Sequence, residues 1–220
     1  MTHAGDWWRP ARKGWWTGVL FAAGSVCFAV ASFASQWATA SRPAIGVTFF
    51  VGSLAFTAAS FLQLTATPRG PWRGDRLAAL VQLAGTLFFN VSTFAGMQRG
   101  FDARETDLRV WAPDAFGSVC FLVASELALA GVCHGWVCWR TRSREWRIAA
   151  LNMVGSVAFG VAAVASLVEP STSEPVSAAI ANAGTTSGAL CFLAGAVMLV
   201  PGAAGPAPAC RVEPPLRAPS

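Results

Sequence analysis

The chain has 220 residues, 54% of them hydrophobic and 12% charged, with a formal net charge of +5. An average soluble domain carries about 25% charged residues, so this composition excludes an ordinary soluble fold, which needs far more charge to cover its surface. The positive balance sits at the ends of apolar segments, where anionic lipid headgroups account for it and no nucleic-acid partner is required.

Residues 1–14 read as a basic tail that begins the chain. Charge-free stretches follow at 14–41, 43–68, 77–98, 148–168 and 175–210, and a further one at 115–139 is interrupted only by Glu126. Each holds about the 20 apolar residues needed to cross ~30 Å of hydrocarbon, and in lipid only helices satisfy their own backbone hydrogen bonds over that length. Six transmembrane helices are therefore predicted, over 15–37, 44–64, 77–97, 113–135, 148–168 and 178–200. The first apolar segment is too long for a signal-peptide core and lacks a small-residue cleavage site, so a cleavable leader is not expected. Trp15, Trp16, Trp37, Trp72, Trp111, Trp136, Trp139 and Trp146 fall at span ends, where indoles anchor at headgroup level. The loop from Glu169 to Pro175 combines two carboxylates, hydroxyls and two prolines; it suits a helix connector better than a weak cation site. Residues 201–220 contain six prolines and little that can pack, which predicts a disordered tail.

Sidedness follows from the cations. Arg9, Arg12, Lys13, Arg69, Arg73, Arg76, Arg140, Arg142, Arg144, Arg147, Arg211 and Arg217 lie on one side, twelve in all. Arg42, Arg99, Arg104 and Arg109 lie on the other, beside Asp102, Glu105, Asp107, Asp114, Glu169 and Glu174. The positive-inside rule puts both termini in the cytoplasm. The excess of arginine over lysine suggests a GC-rich bacterial genome and hence a plasma (inner) membrane. Cys27, Cys120 and Cys191 fall within spans, Cys133 and Cys138 near the cytoplasmic end of the fourth, and Cys210 in the tail. They form no disulfide pattern, and in a reducing compartment they read as small apolar residues.

One motif recurs in every span: Gly, then Ser, Thr or Ala, then two residues, then Phe. Its glycines and phenylalanines are Gly24 and Phe28, Gly52 and Phe56, Gly85 and Phe89, Gly117 and Phe121, Gly155 and Phe159, Gly188 and Phe192. Membrane helices associate through small residues that let backbones approach. Gly and Phe four apart share a helical face, which sets a notch beside a knob, and the Phe of one helix can fill the notch of the next. The unit is a helical hairpin repeated three times, over 15–64, 77–135 and 148–200. The segments 82–92 and 114–125 give the chain its resemblance to the YrhK-like bacterial membrane proteins, whose small domain is a helical pair with Gly-Ser-x-x-Phe in each helix. That resemblance implies an all-α fold and no particular activity or cofactor.

Few residues carry chemistry. Glu126 is the ionisable group nearest the middle of a span, where an acid costs ~2.5–3.5 kcal/mol on insertion scales. With Asn90, and with Ser92, Thr93 and Ser125 nearby, it forms a candidate intramembrane polar site for a proton or cation. Interhelical or intersubunit hydrogen bonds explain the same residues. Gln82, Asn152 and Asn182 are the other amides within spans. His134 and Cys138 share a face but make half a metal site at most, and the only other histidine is His3, so no metal or haem set assembles. No nucleophile elbow is present. The expectation is a non-catalytic structural or partner-binding bundle, an oligomer or the subunit of a membrane partner, without cofactor; a small transporter or channel centred on Glu126 is the alternative.

Overall fold

The computed structural model describes residues 8–68, 74–133, 135, 138, 141–172 and 174–200. The tail at 201–220, with Cys210, and the residues His134, Trp72, Trp136 and Trp139 lie outside the described residues. The chain is all-helical, and six of its helices are long and apolar enough to cross a membrane. We number them α1 (Lys13–Gln36), α2 (Arg42–Ala66), α3 (Gly74–Gly96), α4 (Ala103–Cys133), α5 (Arg144–Ala165) and α6 (Ala178–Leu199).

Local chemistry sets the ends. Ser41, Ser143 and Ser177 accept N-cap hydrogen bonds from Ala44, Trp146 and Ile180, at 3.4, 3.2 and 3.3 Å. Pro43 follows Ser41 in the first turn of α2, where a missing N–H leaves nothing unsatisfied. α1 stops in a Schellman turn: Ala38 takes a left-handed φ of 50°, and Thr39 N–H donates to Ala34 O at 3.1 Å. Arg144 in α5 donates to Met198 O, covering carbonyls at the end of α6.

The fourth helix begins ten residues before the expected start at 113. Charges at Arg104, Glu105, Asp107 and Arg109 hide it from hydropathy, yet Asp102 and Glu105 form a capping box with bonds of 2.7 and 3.3 Å. Asp107–Trp111 is a π-helical turn, with Ala112 N–H bonded to Asp107 O. Pro113 follows directly and can offer no N–H, so the wider turn absorbs the break. Asp107 and Asp114 are therefore helical residues and not loop acids; Asp107 also accepts from Val168 N–H at 3.1 Å.

The helices close into a ring, α1 on α2, α2 on α3 and so on, with α6 packed back on α1. The starts of α1, α3 and α5 and the ends of α2, α4 and α6 share the arginine-rich end, here the basic end; the opposite one is the acidic end. Small residues face inward and branched ones outward. Within each motif the residue after the Ser, Thr or Ala (Val26, Leu54, Leu87, Val119, Val157, Leu190) is exposed on the rim. This arrangement suits lipid, which rewards close backbone packing and is indifferent to apolar surface.

Two expectations need correction. Trp15 is buried, edge-on to Trp16 with centroids 4.9 Å apart, whereas Trp16 and Trp37 stay exposed as anchors. Cys27, Cys120 and Cys191 are free thiols, but Cys133 and Cys138 are joined in a disulfide with Cα atoms 5.3 Å apart. α4 ends at Cys133, so the chain turns back where a continued helix would have pointed the two sulfurs apart.

Candidate functional site

Each hairpin is locked by a reciprocal exchange. A Cβ added to Gly24 would meet the Phe56 ring at 2.8 Å, and one added to Gly52 would meet Phe28 at 2.9 Å. The same swap joins Gly85 to Phe121 at 2.8 Å and Gly117 to Phe89 at 3.0 Å. In the third hairpin Gly155 faces Phe192 at 3.1 Å, and Gly188 faces Phe159 more closely still. Side chains lean toward the N-terminus of their own helix. In an antiparallel pair the two Phe rings therefore converge, each over the other helix's glycine.

The six rings meet on the axis of the bundle. Phe28, Phe89 and Phe159, from α1, α3 and α5, form one triangle with centroid separations of 6.3, 5.9 and 6.0 Å. Phe56, Phe121 and Phe192, from α2, α4 and α6, form a second, at 6.2, 5.6 and 6.3 Å. Rungs of 5.5, 5.1 and 5.2 Å within the hairpins connect the triangles. All six rings are buried and most pairs are edge-to-face, the favoured aromatic geometry. The three hairpins are thus related by a pseudo-threefold axis that runs through a closed aromatic plug.

Hydroxyls tie hairpin to hairpin. Ser53 pairs with Thr93 at 3.0 Å between the first and second, Ser125 with Ser156 at 2.8 Å between the second and third, and Ser32 with Thr186 at 2.7 Å between the third and first. Trp111 Nε1 adds a bond to Ala163 O at 2.8 Å. Ser60 is the exception: its buried Oγ finds no partner.

The structure does not bring Glu126 and Asn90 together. Gly85 and Gly117 face each other across the antiparallel α3–α4 pair, so residue numbers at one level sum to about 202. Asn90 is then level with residue 112 and Glu126 with residue 76, a difference of 14 residues, or roughly 20 Å of helix rise. Asn90 instead donates to Thr57 Oγ1 at 2.9 Å, and its buried Oδ1 has no partner. Glu126 is half-buried toward the basic end and lines a shallow cleft of about 210 Å³ with Leu127, Ala130 and Gly135. Asn182 lies near the acidic end, remote from Glu126. Among the described residues no three His, Cys, Asp or Glu side chains gather as a metal site.

A larger cavity, of about 390 Å³, opens at the basic end and is floored by Phe56 and Phe192 of the plug. Residues from all six helices line it, Gln82 and Asn152 among them. Gln63, which the sequence reading passed over, joins them from the last turn of α2.

The protein is a multi-pass helical membrane protein, a six-helix bundle. No family model, curated protein or solved structure matches the chain.

Proposed function

We propose that the chain is a non-catalytic scaffold of the bacterial inner membrane, with both termini in the cytoplasm, that acts by binding a membrane partner or a second copy of itself. The observation that carries this reading is the closed double triangle of Phe28, Phe56, Phe89, Phe121, Phe159 and Phe192 on the bundle axis. An axis filled by six rings offers no polar path from one end to the other. In the sequence, twelve cations on one side of the spans against four on the other support the orientation and contact with anionic lipid headgroups, while the Cys133–Cys138 disulfide on that side is the observation that weighs against a reducing compartment. The repeated Gly-Ser-x-x-Phe hairpin supports placing the chain with the YrhK-like proteins. Glu126 fits the partner-binding role: it is half-buried on α4, and an acid so near apolar surface gains from a hydrogen-bond donor on a neighbouring helix.

A proton- or cation-coupled transporter needs Glu126 and Asn90 in one polar cavity, and their separation removes its main support. Purified protein in liposomes under an imposed proton or sodium gradient tests the choice. The scaffold reading expects leakage equal to that of protein-free liposomes, for wild type and for Glu126→Gln alike. Protein-dependent flux that Glu126→Gln abolishes would overturn it.

A further inference from the structure

The cavity at the basic end follows the same pseudo-threefold frame as the plug, and there the repeat diverges. Seven residues, or two helical turns, separate Phe28, Phe89 and Phe159 from Phe21, Gln82 and Asn152, all toward the basic end. Seven residues likewise separate Phe56, Phe121 and Phe192 from Gln63, Ala128 and Leu199. All six of these residues line the cavity, the first three near its floor and the last three nearer its mouth. The repeat keeps six Phe in the plug, and places Gln82 and Asn152 on the tier beside it and Gln63 on the tier nearer the mouth.

Depth makes two of those amides unusual. Gln82 and Asn152 each lie eight residues inside their helices (74 to 82, 144 to 152), about 12 Å from the basic end. Phe21 occupies the same depth in α1 and packs at a tilt against Phe56, its centroid 5.9 Å away. The side-chain amides of Gln82 and Asn152 make no hydrogen bond to any described residue, and neither does that of Gln63 nearer the mouth. Both amides are half-buried and open into the cavity, where a bound molecule can reach them. Gly195 makes room for one of them: a Cβ there would stand 3.0 Å from Asn152 Oδ1. Among the described residues that line or border it, charge is confined to the rim, where Glu145 accepts from Ser143 at 2.8 Å and Arg144 is engaged with Met198 O.

The geometry points to a binding site for a small uncharged molecule with an apolar body and a hydroxyl or carbonyl group. Its volume lies within the range of small-molecule pockets, which pair apolar walls with a few placed polar groups. The body packs against Phe21, Phe56 and Phe192, and the polar group exchanges hydrogen bonds with Gln82 and Asn152. Carboxamides both donate and accept, so they satisfy a neutral head completely, whereas a bare anion or cation at this depth lacks a counter-charge. Entry is from the aqueous face at the basic end, since all six helices wall the sides.

Three probes sharing one aryl-diazirine body test this: the benzyl alcohol, the benzoic acid and the benzylamine. Each is photolysed with full-length protein in phosphatidylcholine–phosphatidylglycerol nanodiscs, and labelled residues are mapped by mass spectrometry. The alcohol should label Ala128, Val132 and Ile148 saturably and be displaced by excess benzyl alcohol. The acid and the amine should label these residues at least tenfold less. Gln82→Leu and Asn152→Leu should each lower labelling at least fivefold with thermal stability unchanged or raised, and Ala128→Phe should abolish it by filling the cup. Labelling confined to rim-facing residues such as Val119 and Val157, equal labelling by all three probes, or labelling unmoved in Gln82→Leu and Asn152→Leu would each overturn the assignment.

Discussion

Gly188 has the least room of the six notches, because a methyl there runs into Phe159 and stands 2.8 Å from Gly155 O. Gly188→Ala should therefore destabilise the bundle by ~1–3 kcal/mol through overpacking. Gly160, in the neighbouring α5, has nothing within 4 Å of an added Cβ, and Gly160→Ala should be neutral or stabilise by up to ~1 kcal/mol. Unfolding of both variants by titration with a denaturing detergent measures the contrast; similar losses would show that the glycines serve something other than close approach. Hydroxyls divide in the same way. Ser156 donates to Phe121 O at 3.2 Å and pairs with Ser125, so Ser156→Ala should cost about the ~0.6 kcal/mol typical of an interhelical bond. Ser60 Oγ is buried without a partner, and Ser60→Ala should cost nothing or stabilise. The same unfolding titration separates them. Residue types alone made the six notches visible, since Gly and Phe recur at a fixed spacing. They pointed each Phe at the notch of the next helix but did not show that the exchange is reciprocal within a hairpin; that depends on the antiparallel lean of the side chains.

Helix existence was legible at the level of elements because charge-free runs of this length have few alternatives in water or lipid. Ends were less so. Hydropathy discards the charged turn at 103–111, although a capping box and the Arg109–Glu105 pair at 3.6 Å support it. Termination of α4 at Cys133 carries no strong sequence signal, and with it the pairing of Cys133 and Cys138 was missed. Register is the deeper gap. Glu126 and Asn90 sit in one hairpin, but nothing in their spacing told that the antiparallel pairing puts them at opposite ends. The cup is encoded as a fixed offset from each Phe, seven residues toward the basic end, which aligns Gln82 with Asn152 and picks out Gln63. One helix end also carries strain. Ala38 holds a left-handed φ of 50° at the close of α1, a conformation that suits glycine. Ala38→Gly should stabilise the protein by ~0.5–1 kcal/mol, read as a higher thermal midpoint in nanodiscs; an unchanged or lower midpoint would contradict the turn described here.

At the scale of the whole molecule, three hairpins of different sequence reach one arrangement because the same short motif solves the same problem in each. Lipid gives helices little reason to associate by hiding apolar surface, so stability has to come from contact density. Reciprocal Gly–Phe exchange supplies it twice per hairpin, and the six rings then pack with one another around the axis. Everything else is free to vary around that frame, which is where the amides of the cup and the acid at Glu126 occur. A double-mutant cycle tests the exchange most directly. Gly188→Ala, Phe159→Leu and the pair are compared by reversible unfolding in micelles, with Phe121→Leu as the partner that touches the plug but not this notch. Reciprocal packing predicts a favourable coupling of ~1 kcal/mol or more between Gly188→Ala and Phe159→Leu, because leucine vacates the space the methyl needs, and none with Phe121→Leu. Strict additivity of both pairs would contradict it.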